Sequence, residues 1–209
     1  MIPNVASGWN DEFKDLIGLG HSVSFSAEFL LITGDNACGK SLLRRMLNAS
    51  LRKVDISVIH LSQQGRSTEG FGRAMIYGSE ADEATGVISA KVIVNGFKQN
   101  RDKPYILLYD EPEIGMGEEA QMGIAQFFRE SFKQLPLNCE GVILFTHSRI
   151  LVSGLADCMQ FIHLGNQYQT AGEWLRRKLV PLSPQELVDR GHENWGRVQD
   201  FLNAGKKGT

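Results

Sequence analysis

The sequence is short of cysteine, of net charge and of long apolar runs. Its three cysteines, Cys38, Cys139 and Cys158, form no C-x-x-C pair, which argues against a disulfide framework and suits free thiols in a reducing cytoplasm. The 22 basic and 24 acidic residues leave a net charge of -2, too little for a global field that draws the molecule onto nucleic acid or an anionic bilayer. No apolar run approaches the roughly 18 to 20 residues of a membrane span, and residues 1 to 10 lack the basic-then-apolar order of a secretory leader. Internal repeats, heptads and low-complexity segments are absent as well. With 209 residues, 42% of them hydrophobic, the expectation is one domain with a full core and a small appendage in a cytoplasmic protein without a membrane anchor.

What is present begins with Gly34-Asp35-Asn36-Ala37-Cys38-Gly39-Lys40-Ser41, an uninterrupted G-x-x-x-x-G-K-[ST]. It follows an apolar strand (Phe29 to Ile32) and opens a helix at Leu42. Small residues at this spacing let successive backbone N–H groups converge on phosphate oxygens at a helix N-terminus, where unpaired amides already favour an anion. Lys40 is expected to reach the outer phosphates and Ser41 to hold Mg²⁺, so the chain reads as a nucleoside-triphosphate binder.

Apolar, β-branched runs at Val23 to Ile32, Ile56 to Leu61, Tyr105 to Tyr109, Val142 to Phe145 and Met159 to Leu164 read as strands, alternating with helices at 41–53, 83–99 and 117–134. This alternation predicts an α/β fold, a P-loop three-layer sandwich with a mainly parallel sheet. Residues 63–82 read as loop or insertion near the nucleotide, and 171–179 and 183–203 as helices of a C-terminal appendage. The division is a core over 1–165, with a reduced insertion at 63–99, and an appendage over 166–209. Trp174, Leu175, Leu179, Leu187, Val188, Trp195, Val198 and Phe201 of that appendage are expected to pack on the sheet, with a partner surface as the alternative.

The run Tyr105 to Tyr109 ends in Asp110-Glu111, the Walker B arrangement: Asp110 would hold Mg²⁺ and Glu111 would orient or deprotonate the attacking water. The following strand ends in Thr146-His147-Ser148, where a neutral imidazole could bond the γ-phosphate. Arg44, Arg45, Arg52 and Lys53, and Arg176, Arg177 and Lys178, read as solvated helix faces, and no nucleic-acid motif accompanies them.

This ordered set resembles the ABC-type ATPases, and Asp110-Glu111-Pro112-Glu113 with Thr146-His147-Ser148 resembles their soluble RecF and OLD branch more than transporter subunits. The resemblance implies ATP and Mg²⁺ as cofactors, and an ATP-dependent head-to-tail homodimer in which Thr85-Gly86, opening the helix at Val87, caps the partner's γ-phosphate. It implies that Gln63 or Gln64 senses metal and water, that Glu113 or Met116 contacts the partner subunit, and that an aromatic, Trp9 or Phe25, precedes the loop to stack on the base. Residues 41 to 84 leave no room for the transporter helical subdomain or for the long coiled coil of the chromosome-maintenance relatives. The expected function is ATP hydrolysis in a DNA-related process such as repair, replication or phage defence, with a protein partner; DNA itself is possible but unsupported by a motif. The alternative is a slow ATPase switch that signals to a separate effector through the tail. A small-molecule kinase fits less well, because an arginine-rich lid is missing.

Overall fold

The computed structural model describes residues 9, 11–19, 25, 27–35, 38–62, 84–165 and 168–207. In chain order they form α1 (Asp11–Leu16), β1 (Phe29–Gly34), α2 (Lys40–Lys53), β2 (Ser57–Ser62), α3 (Thr85–Gly96), β3 (Tyr105–Asp110), α4 (Glu118–Phe132), β4 (Cys139–Phe145), α5 (Arg149–Leu155), β5 (Gln160–Leu164), α6 (Ala171–Arg176) and α7 (Pro184–Lys207).

The five strands pair in the order β2-β3-β4-β1-β5, every pair parallel. Leu30 to Ile32, Tyr105 to Tyr109 and Val142 to Phe145 are all fully buried, as unbroken apolar runs are when both faces of a parallel sheet are covered. Alternation along each strand divides the core. Leu30, Ile32, Ile106, Leu108, Ile143 and Phe145 face α1 and α2, where Leu43, Leu47 and Leu51 recur every fourth residue. Leu31, Leu107, Tyr109, Val142 and Leu144 face the other way, toward α3, α4, α5 and Trp174 of α6. Each such side chain contributes about 1.5–3 kcal/mol when taken from water.

The register levels three strand ends. Phe145 of β4 pairs with Ile32 of β1 on one side and with Asp110 of β3 on the other. The connections leaving these strands therefore emerge side by side, although they lie far apart in sequence.

Two expectations are corrected. Of the strand expected over Val23 to Ile32, the described part in strand conformation begins at Phe29, Val23 and Ser24 lie outside the described residues, and Phe25 is buried against Trp9, ring centroids 5.4 Å apart. The helix expected over 171–179 stops at Arg176, since Arg177 adopts extended backbone (φ -56°, ψ 141°). The tail also divides: Trp174 and Leu175 join the core, whereas Leu179, Leu187, Val188 and Trp195 stay exposed, Trp195 at 56%. The helix α7 touches the body at α1. No helix among the described residues is long and apolar enough to cross a membrane.

Candidate functional site

The turn after β1 is tight: Cys38 N donates to Asp35 O at 3.2 Å, and a Cβ on Gly34 would fall 2.5 Å from Cys38 Sγ. Gly39 has φ 101°, a left-handed conformation that glycine adopts without strain, and α2 starts immediately after it. Asn36 and Ala37 lie outside the described residues. Ser41 is exposed at the helix start, and Leu42 is half-buried against the core.

Lys40 curls back over this turn. Its Nζ donates to the carbonyls of Gly34 (3.1 Å) and Asp35 (3.2 Å) and stands 2.5 Å from His147 Nε2. Burial pushes the ammonium below the ordinary lysine value, against the pull of Cys38, Glu111 and Asp110. On its other side the same His147 Nε2 lies 3.0 Å from Glu111 Oε1. The hydrogen bond from His147 holds the Glu111 carboxyl below the usual carboxylate range despite its partial burial. One ring nitrogen can accept from Lys40 or donate to Glu111, but not both at once. Whether Nε2 of His147 carries a hydrogen thus decides which neighbour it serves.

Glu111 is aimed by its backbone. At φ 52° it occupies a left-handed conformation that costs a non-glycine residue about 1–3 kcal/mol, and its N–H bonds Phe145 O at 2.9 Å. Beside it, burial raises the Asp110 carboxyl while Arg44 draws it down; Arg44 Nη1 stands 2.6 Å from Asp110 Oδ2. Arg44 follows Lys40 by one helical turn, so it is an inward-facing site residue rather than part of a solvated face. The helical spacing was visible in the sequence, but the partner on β3 was not.

Glu113 is engaged within its own chain. Its Oε1 accepts from Thr146 Oγ1 (2.6 Å), His147 N (2.9 Å) and Ser148 N (3.2 Å). Ser148 Oγ in turn donates to Gln121 Oε1 at 2.6 Å, and Gln121 Nε2 donates to Met116 O at 2.9 Å. Met116 packs its side chain on the core. This collar ties the connection after β3 to the one that carries His147, and no local pattern marked Gln121 as a member.

Thr85 and Gly86 open α3 against the same connection: a Cβ on Gly86 would lie 2.5 Å from Gly115 O. Thr85 is exposed there. Gln63 and Gln64 lie outside the described residues. Neither aromatic expected to meet a base is free to do so. Phe25 is fully buried, and Trp9, 7% exposed, packs edge-on to Phe13 and donates Nε1 to Ser50 Oγ at 2.9 Å.

The donor set suits a hard divalent cation. The Ser41 hydroxyl and the Asp110 carboxylate are oxygen ligands, and Mg²⁺ commonly takes one or two of these together with substrate phosphates. Among the described residues there is no cluster of three His, Cys, Asp or Glu side chains that would make a protein-only metal cage.

No family model and no curated protein matches this chain in sequence. Among solved structures it is similar to the solution structure of protein NMB1076 from Neisseria meningitidis, at 16% identity and a TM-score of 0.29 over 74% of this chain and 84% of that one. A likeness of that size carries no argument about function.

Proposed function

We propose that this chain is a Mg²⁺-dependent P-loop ATPase of the ABC type, resembling the soluble RecF and OLD branch. The observation that carries the reading is the convergence of Lys40, His147 and Glu111, from three adjacent parallel strand ends, on a single ring nitrogen beside the Gly34–Ser41 turn. A triphosphate on that turn would offer Lys40 anionic oxygens in place of two backbone carbonyls, a stronger charge-assisted partner. His147 would then bond the terminal phosphate, and Glu111 would orient or deprotonate water. Mg²⁺, held by Ser41 and Asp110, would supply charge neutralisation at the phosphates.

The test is phosphate release combined with calorimetry. Glu111→Gln should keep ATP affinity while slowing turnover at least about 100-fold, the usual loss on removing a general base. Lys40→Ala should lose the affinity itself. A Lys40→Ala variant that binds ATP as the native chain does would sink the assignment.

Head-to-tail pairing through Thr85-Gly86 belongs to the same proposal. Glu111→Gln with ATP should sediment as a dimer, and a monomer there would remove the pairing while leaving the ATPase reading intact. DNA added to the turnover assay tests for a nucleic-acid-linked role. A second reading, an ATP switch acting on a separate protein, is favoured by the exposed Val188 and Trp195 of α7. Turnover indifferent to DNA, together with stable nucleotide-dependent association, would support it.

A further inference from the structure

A cavity of about 560 Å³ opens beside the candidate site, with Asp35 and His147 in its lining. The segment after β5 contributes Tyr168, Arg177, Lys178 and Arg190 to the same lining. Leu179, Val180, Leu182 and Leu187 complete the lining, and these are apolar side chains the fold leaves in water, Val180 at 76% exposure and Leu179 at 64%. Apolar exposure concentrated on one concave surface, with a few polar groups converging on it, is the usual character of a ligand pocket.

Its position in the sheet gives it a direction. Glu111 and Asp110 leave β3, two strands from β1 on one side, whereas the cavity wall follows β5, the strand next to β1 on the other. A triphosphate with its reacting end toward Glu111 directs its opposite end toward the β5 side. Trp9 and Phe25 are locked in the core, and among the described residues the aromatic that lines this space is Tyr168, its ring held edge-on to His163 at 5.0 Å.

We infer that this cavity holds the nucleoside end of the bound nucleotide, base and sugar against Tyr168 and the apolar wall, with Lys178 and Arg190 balancing the phosphate charge. The inference rests on the ATPase reading and extends it. The segment 177–190 becomes part of the nucleotide site, and α7, which continues from it, is connected directly to nucleotide occupancy. This also accounts for a run of exposed leucine and valine that no packing against the body explains.

Two probes separate this inference from the reading beneath it: ATP, and inorganic tripolyphosphate, which has the phosphates and lacks the nucleoside. In calorimetry, Tyr168→Ala and, separately, Leu182→Ser should weaken ATP about tenfold or more while tripolyphosphate affinity stays within about twofold. Leu182 is 39% exposed, so its substitution leaves the fold intact if Tyr168→Ala does not. Equal loss for both probes, or unchanged ATP affinity in both variants, overturns the nucleoside pocket and leaves the phosphate site standing. A native chain that binds neither probe overturns the ATPase reading and the pocket together.

Discussion

The Glu113 carboxylate holds the backbone of His147, its Oε1 2.9 Å from His147 N, and through that bond the connection after β3 sets the position of the imidazole. Three donors share that oxygen, and the second oxygen, Oε2, is buried without a partner among the described residues. Glu113→Ala should therefore cost about 1–3 kcal/mol in urea unfolding, because it strands buried donors. If the role is positioning, turnover should also fall with KM little changed, and Glu113→Gln, which retains one carbonyl oxygen, should recover part of the rate. A stability loss with unaltered turnover would make Glu113 structural only.

Arg44 and Asp110 form a pair with only 20% and 17% of their side chains exposed. Arg44→Met should destabilise the protein by about 1–3 kcal/mol at pH 7, since it leaves the carboxylate half-desolvated and without its cation. Burial already raises the folded-state value of Asp110, and loss of Arg44 raises it further. The penalty is complete only above the folded-state value of Asp110 in the variant, which lies above the ordinary aspartate value, and it shrinks as acid protonates the carboxyl. Unfolding midpoints of the two proteins should converge between neutral pH and about pH 4, near the ordinary aspartate value.

His163 is buried beside Thr33, Oγ1 to Nδ1 3.0 Å, and desolvation lowers it from 6.5 to about 4. The folded state keeps the ring neutral where the unfolded chain would protonate it. Its contribution to stability is therefore full above pH 6.5, declines as pH falls toward 4, and changes no further below that. His163→Gln should flatten this part of the stability-versus-pH curve. An unchanged slope would show that other groups carry it.

Gly86 and Gly115 meet backbone to backbone, so Gly86→Ala would place a Cβ 2.5 Å from Gly115 O, and a carbonyl cannot swing aside as a flexible side-chain end can. The substitution should cost about 1–3 kcal/mol, as overpacking does, and should slow turnover by displacing the connection that carries Glu111. Gly123→Ala, where a Cβ meets nothing within 4 Å, serves as the control and should be neutral or slightly stabilising.

By itself the sequence determined the features written in local backbone chemistry. These are the glycine-rich turn with Lys40 at a helix start, the apolar strands with Asp110-Glu111 and His147 after two of them, and the α/β alternation with helices on both faces. Such features depend on neighbours a few residues apart, through dihedral freedom and period, and so they can be read along the chain. Only the tertiary structure decided that β4 enters between β1 and β3, that Glu113 turns inward to hold His147, that Arg44 pairs with Asp110, and that Trp9 and Phe25 are core while Leu179 and Trp195 are not. The strand order, the Glu113–His147 bond and the Arg44–Asp110 pair join groups dozens of residues apart, where burial and pairing depend on which surfaces the whole sheet brings together, and no short window of sequence contains both partners.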